Sequence, residues 1–170
     1  MDMQTAASHS WTQYAAGPTS PLAAAEEGIR DTCDRVADAW SRGDAGALSA
    51  VLADDCDHVT LSRIRQVKRG RSALVDSWHR AFSRRGPTFS VRMSIAPNML
   101  RLMREDIALI DGAFEYSEGI GAADIHQGRS SQAFSAVMTN DGHEWLVAAL
   151  RVGPSTAAAK VVPCSDEVSS

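Results

Sequence analysis

The chain has 170 residues, with 17 basic and 21 acidic side chains and a formal net charge of -4. A single domain of this length buries roughly two thirds of its unfolded surface, so a second core is not needed. The charge balance provides no global attraction for nucleic acid or an anionic membrane, and we expect neither as a partner. No apolar run approaches the ~20 residues that span a bilayer, and residues 1–20 lack a basic stretch followed by an apolar one. These features predict a cytoplasmic protein.

Both ends of the chain are rich in small and polar residues and show no sustained periodicity. We therefore predict mobile tails at residues 1–20 and 154–170, and one domain at residues 21–153.

Capping residues predict three helices in the first half of the chain. Ser20, followed by a proline, starts the first helix, and Gly43 ends it. Asp44 caps a short second helix that continues through Leu52. Ser72 caps the third helix, whose apolar residues recur at three- and four-residue spacing.

Alternating apolar and polar residues predict strands in the second half of the chain. A break at 96–98 is typical of a bulge in a long strand. The glycine-rich segment 119–128 predicts a loop that covers a cavity. The predicted strands are 57–61, 88–95 continued at 99–103, 107–116, and the hairpin 132–152.

The hairpin is the strongest single signal in the sequence. Turn residues at 140–142 separate two alternating runs. In the second run, Trp145, Val147 and Ala149 share one face, and the opposite face is also apolar. This pattern predicts a strand deep in the sheet, covered by helices on one side and by a second subunit on the other.

A basic segment lies between the first strand and the third helix, and contains Arg63, Arg65, Lys68, Arg69 and Arg71. One interpretation is a solvated loop, because runs of charge usually face water. The other interpretation is a docking patch for an acidic carrier protein or a phosphate.

Three helices followed by antiparallel strands indicate an α+β domain. Six short motifs in order then resemble the nuclear-transport-factor-2-like (NTF2-like) or SnoaL-like superfamily, and within it the SgcJ/EcaC-type group (DUF4440-like). The resemblance covers roughly residues 29–152. The motifs are Ala-Trp-Ser-Arg-Gly-Asp at 39–44, Leu-Ala-Asp-Asp at 52–55, Lys-Arg-Gly-Arg at 68–71, Trp-His-Arg-Ala-Phe at 78–82, Arg-Glu-Asp-Ile-Ala at 104–108, and the turn at 141–145.

This resemblance implies a cone-like α+β barrel, in which three N-terminal helices pack on a curved antiparallel or mixed sheet around a pocket. It also implies a homodimer and a place in bacterial natural-product biosynthesis. The ketosteroid isomerase branch of the superfamily uses a carboxylate base, a tyrosine and a protonated acid. The corresponding positions here hold Thr60, Val36 and Phe134, so the isomerase machinery is absent. Leu150 and Arg151 replace a His-Asn pair that is common in the group.

If the pocket is catalytic, Asp111, His79 and His58 are the predicted proton-transfer groups. For Asp111 the alternative is a strand carboxylate paired with an arginine. For His79 it is a boundary histidine bonded to a backbone carbonyl.

Seven further residues are predicted to bind the substrate. Arg151 is expected to bind a carboxylate or enolate oxygen of the substrate. The alternative, which is commoner for an arginine near a sheet edge, is that its guanidinium is solvated. Trp40 is either an aromatic platform or a core residue. The seven are Trp40, Thr60, Tyr116, Gln132, Phe134, Met138 and Arg151.

The sequence contains no nucleotide fingerprint, nucleophile elbow or metal-spaced histidine cluster. Cys33, Cys56 and Cys164 are odd in number and form no CxxC pair, so we expect reduced thiols, with Cys33 buried. We therefore expect no metal and no cofactor. The predicted function is cofactor-independent cyclisation or isomerisation of a hydrophobic polyketide-type intermediate, and the alternative is a non-catalytic carrier for a hydrophobic small molecule.

Overall fold

The computed structural model describes residues 20–61, 65–85, 89–120 and 126–155. The predicted tails lie outside these residues, except for Ser20, which caps the first helix, and for residues 154 and 155, which belong to the last strand. The elements are α1 (Pro21–Arg42), α2 (Ala45–Ala50), β1 (Leu52–Thr60), β2 (Gln66–Arg69), α3 (Arg71–Phe82), β3 (Phe89–Arg104), β4 (Ile107–Ile120), β5 (His126–Asn140) and β6 (Trp145–Ser155).

The helix caps follow the sequence signals at three of four positions. The side chain of Ser20 accepts a backbone N–H bond at the start of α1, and Gly43 ends α1 with a positive φ of 69°. Asp44 caps α2 in the same way as Ser20 caps α1. The prediction for α3 is wrong, because Gly70, with φ 81°, precedes the helix and Ser72 lies inside it.

The second helix is shorter than predicted, and the first strand is longer. α2 ends at Ala50, and Leu52 already pairs with Val147 of β6. Backbone pairing with a strand distant in the sequence therefore overrides the local helical pattern around Leu52.

The six strands form one mixed sheet in the order β2-β1-β6-β5-β4-β3. β1 and β6 are parallel, and the other neighbouring pairs are antiparallel. The sheet is curved, and within the described ranges it does not close into a barrel, since β2 and β3 are its edges. The predicted α+β architecture, with three helices on a curved mixed sheet, is confirmed.

Two register shifts determine which side chains face the helices. The predicted bulge in β3 is confirmed by a shift between Pro97 and Met99. A shift between β5 and β6 reverses the alternation of β6 after Val147, so that Leu150 packs against the core and the prediction that Ala149 shares a face with Trp145 and Val147 is wrong.

In the part of the chain that the structure describes, two clusters of buried residues meet at Trp40. One joins α1 to the inner face of β3–β6, and the other joins α2 and α3 to β1. Cys33 and Cys56 are buried free cysteines, as predicted for Cys33, and burial raises the pKa of Cys33 to about 12. Cys164 lies outside the described residues.

Two small residues hold α1 against β6. The hydroxyl of Thr32 donates to the carbonyl oxygen of Trp145 at 2.7 Å. A Cβ atom on Gly28 would lie 2.7 Å from the indole of Trp145, so only glycine allows this close approach. These contacts fix the helix that forms one wall of the cavity described below.

The predicted loop at 119–128 is wrong at both of its ends, which are strands. β4 continues to Ile120 and β5 begins at His126, whereas residues 121–125 lie outside the described residues. Within the described part of the chain, the helices are too short or too polar to cross a membrane.

Candidate functional site

A cavity of about 560 Å³ lies between the helices and the inner face of the sheet. This volume is within the range of typical small-molecule sites. Most of the wall is apolar or aromatic. The apolar and aromatic lining residues described are Val36, Trp40, Leu48, Val51, Leu52, Trp78, Ala81, Val91, Met93, Phe114, Tyr116, Val147, Leu150 and Val152.

A small set of polar side chains interrupts this wall. Strand alternation places His58 and Thr60 of β1 on the inner face, as predicted, and Gln132 of β5 also faces the cavity. Sequence reasoning missed Arg85 and Ser130. The polar lining residues described are His58, Thr60, Arg85, Ser130 and Gln132, together with the Tyr116 hydroxyl.

His58 is a titratable group in the cavity wall with a strongly lowered pKa. Its Nε2 atom is buried and has no hydrogen-bond partner among the described residues. Burial, followed by the positive charges of Lys68 and Arg151, lowers the pKa of His58 to about 4, against the opposing effect of Asp57. The imidazole is therefore neutral at pH 7.

Tyr116 and Trp40 belong to an aromatic group along one wall. Their ring centroids are 6.2 Å apart, and Trp40 also meets Phe82 edge-on at 5.3 Å. Burial raises the pKa of Tyr116 to about 12, so its hydroxyl remains a neutral hydrogen-bond donor. Both predicted residues line the cavity.

Two of the predicted binding residues lie in the core and do not line the cavity. Phe134 is buried and stacks on Phe114, with 4.3 Å between the ring centroids. Met138 is also buried, farther along the same face of β5. Their contribution is to support the wall.

Arg151 lies on the outer face of the sheet, away from the cavity. Its guanidinium donates two hydrogen bonds to the carboxylate of Asp57, at 2.7 and 3.0 Å. These bonds lower the pKa of Asp57. The structure therefore favours an ion pair over the predicted ligand contact.

Asp111 and His79 do not line the cavity. On β4, Ile110, Phe114 and Tyr116 face inward, and Asp111 takes the opposite parity, where it accepts a hydrogen bond from Ser135. His79 is exposed on α3. A catalytic role for either residue stays a prediction, and neither side chain lines the cavity in which it would act.

Arg85 follows α3 and contributes a cation to the wall. Its Nη1 donates to the carbonyl oxygen of Trp40 at 3.1 Å, and its guanidinium lies 4.3 Å from the ring centroid of Phe82. The sequence contained the signal, because Trp78, Ala81 and Phe82 continue to Arg85 at helical spacing. Ser130 likewise shares the parity of Gln132 on β5.

No family model matches the chain, and neither does any curated protein. Solved structures do match. A ketosteroid isomerase-like protein from Erwinia carotovora is 18% identical, with a TM-score of 0.57 over 75% of this chain and 93% of that one. A provisionally named dehydratase of the NTF2-like family from Streptomyces avermitilis is 15% identical, with a TM-score of 0.62 over 82% of this chain and 100% of that one. A provisionally named scytalone dehydratase from Novosphingobium aromaticivorans is 10% identical, with a TM-score of 0.62 over 82% and 91%.

The chain has the NTF2-like fold. At these identities the likeness concerns the fold alone, because NTF2-like domains with different activities share one architecture. The resemblance found in the sequence is thus confirmed at the level of the superfamily fold, and the function has to be argued from the cavity.

The basic segment of this NTF2-like domain has two parts. Arg71 contacts the carbonyl oxygen of Leu52 and pairs with Asp54 at 3.0 Å, so it connects α3 to β1. Lys68 and Arg69 lie on the edge strand β2, while Arg63 lies outside the described residues. Docking of an acidic carrier there stays a prediction.

Metal ligation has little support in the described part of this NTF2-like domain. Its histidine, cysteine, aspartate and glutamate side chains form no group of three or more that could hold a metal ion.

Proposed function

We propose that this protein binds a hydrophobic small molecule in the cavity and catalyses an acid–base cyclisation or isomerisation on it without a cofactor. The observation that carries the proposal is the neutral imidazole of His58 in the wall of an apolar cavity, with a buried Nε2 that has no hydrogen-bond partner among the described residues. A buried polar atom without a partner costs free energy, and a bound ligand that supplies the partner recovers it. This arrangement is typical of a site built for a ligand and not for folding alone.

The groups in the wall suit proton transfer next to a carbonyl. Neutral His58 accepts a proton from the carbon beside the carbonyl, and Tyr116 or Gln132 donates a hydrogen bond to the oxygen, which becomes negative. Return of the proton to a different carbon gives an isomer, whereas attack of the carbanion on a second carbonyl closes a ring. The negative charge that develops in the cavity raises the basicity of His58 from its low starting value.

The substrate class of the proposal is a polyketide-type intermediate of bacterial natural-product biosynthesis. The sequence resemblance to the SgcJ/EcaC-type group supports this assignment. The volume of about 560 Å³ accommodates two or three fused rings. Structural neighbours that are provisionally named as dehydratases add support for acid–base chemistry in this fold.

Deuterium uptake tests the proton-transfer step directly. We expect the protein to accelerate exchange at the α-carbon of 1-tetralone, a hydrophobic bicyclic ketone, in D₂O without added metal or cofactor, as followed by NMR. His58→Gln removes the base and should reduce the rate by about 100-fold or more. His143→Gln alters an exposed histidine in the β5–β6 turn and should leave the rate unchanged. Equal rates for the wild type and His58→Gln would exclude His58 as the base.

The second candidate function is non-catalytic binding and transport of a hydrophobic small molecule, and the composition of the cavity wall favours it. The described residues that line the cavity include no aspartate or glutamate, so the wall lacks the carboxylate base of the isomerase branch. Saturable binding of 1-tetralone with no exchange in any variant would support the carrier, and multiple turnovers would exclude it.

Docking of an acidic carrier protein is a separate proposal, which rests on Lys68 and Arg69 at the edge of the sheet. It requires salt-sensitive association that weakens in the double variant Lys68→Gln and Arg69→Gln. Association that is unaffected by salt and by these substitutions would contradict it.

A further inference from the structure

Two groups of uncharged polar side chains face the cavity from different strands. In the first group, Tyr116 of β4 pairs directly with Ser130 of β5, and Gln132 lies two residues farther along β5 on the same face. The second group lies on β1 and consists of His58, whose imidazole is neutral, and Thr60. Hydroxyl and amide groups both donate and accept hydrogen bonds, so each group can bind a hydroxyl or a carbonyl oxygen.

An apolar strip of β6 separates the two groups. The sheet order places β6 between β1 and β5, and Leu150 and Val152 of β6 line the cavity there. Val152 pairs with Thr60 on one side and with Phe134 on the other, two residues from Gln132. Neighbouring strands lie about 4.8 Å apart, so the backbones of β1 and β5 are about 10 Å apart across this strip. The side chains of both groups extend inward from these backbones, and a body of two or three fused rings spans the remaining gap.

The protein itself does not satisfy either group. Within the described part of the chain, the side chains of Thr60, Tyr116, Ser130 and Gln132 make no hydrogen bond, and the buried Nε2 of His58 has no partner. By contrast, the buried hydroxyl that connects α1 to β6 donates to a carbonyl oxygen at 2.7 Å. Polar groups in a cavity wall that lack a protein partner bond to water or to a ligand.

We propose that the cavity recognises a fused-ring molecule with an oxygen function, hydroxyl or carbonyl, at each of two opposite ends, and that Gln132 and Thr60 determine this specificity. One oxygen binds to Gln132 beside Tyr116, the other binds to Thr60, and the rings lie over the apolar strip of β6. The inference rests on the proposed function, because it requires that the cavity binds a small molecule. It adds the number and the spacing of the polar groups on that molecule.

The competing explanation is hydration. Polar side chains in a cavity wall can serve only to hold water, and any apolar ligand of suitable size then displaces that water whether or not it carries oxygens. In that case the affinity of a ligand follows its hydrophobicity alone. The experiment must therefore compare ligands of one shape that differ in their hydrogen-bonding groups.

Three naphthalenes form such a series. 2,6-Dihydroxynaphthalene has a hydroxyl at both ends, 6-methyl-2-naphthol has one at a single end, and 2,6-dimethylnaphthalene has none, while a methyl group is close to a hydroxyl in size. Equilibrium dialysis against the purified protein measures the three dissociation constants. We expect the wild type to bind the diol at least as tightly as the dimethyl compound, although the dimethyl compound is the more hydrophobic, because a ligand that leaves polar side chains of the site unpaired loses affinity.

Gln132→Leu and Thr60→Val remove the hydrogen-bonding groups and keep the approximate volume of the side chains. We expect each substitution to weaken binding of the diol by about tenfold and not to weaken binding of the dimethyl compound. Each single variant should bind the diol no more tightly than 6-methyl-2-naphthol, since only one of the two contacts remains. Gln66→Leu makes a matched substitution on the exposed edge strand β2, outside the cavity wall, and should leave all three affinities unchanged.

Four results would overturn the inference. They are affinities in the wild type that follow hydrophobicity alone, equal weakening of all three ligands in Gln132→Leu or Thr60→Val, undiminished binding of the diol in either variant, and the same weakening in Gln66→Leu.

Binding of the dimethyl compound separates this inference from the proposed function. If that compound binds and the diol is not favoured, only the recognition of two oxygens fails. If none of the three ligands binds, the cavity does not accept such molecules and both proposals fail. If the diol is favoured as expected but the wild type does not accelerate exchange in 1-tetralone, the inference stands and the catalytic part of the proposed function fails.

Discussion

His58 is partly exposed as a residue, but its Nε2 atom is buried. It lies on a strand near the edge of the sheet, yet its Nε2 is buried against an apolar wall. Burial is the largest cause of its lowered pKa, and the cations Lys68 and Arg151 act in the same direction. The protein therefore keeps this imidazole neutral under conditions in which an exposed histidine begins to take up a proton.

The lowered pKa of His58 predicts a specific loss of stability in acid. The folded-state pKa of about 4 lies below the ordinary value of 6.5, so the unfolded chain binds the proton more readily between these two values. The stabilisation is complete above pH 6.5, decreases as the pH falls towards 4, and is lost below that. The contribution is at most about 3 kcal/mol of the free energy of unfolding.

Urea denaturation at pH 7 and pH 4.5 measures this contribution. Carboxylates also titrate in this interval, so the informative quantity is the difference between the wild type and His58→Gln. We expect the wild type to lose more stability than His58→Gln, and His143→Gln, which alters an exposed histidine, to behave like the wild type. Parallel losses in all three proteins would show that His58 titrates normally in the folded state.

At the level of elements, Gly112 of β4 allows the bend in β3. A Cβ atom at this position would lie 2.6 Å from the carbonyl oxygen of Ala96 and 2.8 Å from Cα of Pro97, and both atoms belong to the backbone. Backbone atoms cannot move aside as the end of a flexible side chain can, so we predict that Gly112→Ala destabilises the protein by about 2–3 kcal/mol. Thermal unfolding of the purified variant measures the effect.

Gly46 of α2 is the control for Gly112. Its added Cβ would meet one atom within 4 Å, the Asp44 side-chain oxygen at 3.4 Å. Gly46→Ala should therefore change the stability by less than about 1 kcal/mol, because alanine is also the better helix former. If the two variants were equally stable, the close packing of β4 on the bend would be disproved.

The parallel pair β1–β6 carries an ion pair on its outer face. Asp57 and Arg151 are 31% and 41% exposed, so their paired geometry contributes only about 0.5–1 kcal/mol. We predict this coupling energy from a double-mutant cycle with Asp57→Asn and Arg151→Met, measured by urea denaturation. Arg151→Met should leave the affinity of the cavity for 1-tetralone unchanged, because Arg151 lies on the outer face of the sheet. Loss of that affinity would place Arg151 in the binding site after all.

Much of the fold could be predicted from the sequence, because helix caps and bulges are determined by residues that are close together in the chain. The caps at Ser20, Gly43 and Asp44 and the bulge near Pro97 are of this kind. The end of α2 at Ala50 could not be predicted locally, since pairing between β1 and β6 decides it.

On the strands, the residues that line the cavity were predictable where the alternation is regular. His58 and Thr60 on β1 follow a simple period of two, and both line the cavity. Leu150 also lines the cavity but departs from the period of two, because the register shift between β5 and β6 reverses the alternation. No sequence pattern shows that shift. Arg85 was missed for a different reason, since a charge at the end of a helix is usually solvated and not part of a cavity wall.

At the scale of the whole molecule, the two faces of the sheet differ. The inner face packs on the helices and encloses the cavity, while β3 turns Met99 and Met103 outward, opposite Leu100 and Leu102 of the core. Met99 is 42% and Met103 is 55% exposed. Exposed large apolar side chains on a sheet face are one feature of interaction surfaces, and here the exposed Arg101 lies between the two methionines along the strand.

We predict that this outer face forms a homodimer, as the apolar character of the closing hairpin also indicates. Sedimentation equilibrium at micromolar concentration should give a mass close to twice 18.2 kDa. The double variant Met99→Lys and Met103→Lys places two charges in the interface and should shift the equilibrium to the monomer, because burying unpaired charge opposes association. Val67→Lys is the control, since Val67 is 44% exposed on the opposite edge strand β2 and should leave the dimer intact. A wild-type monomer at this concentration would contradict the prediction, and dissociation by Val67→Lys alone would move the interface to β2.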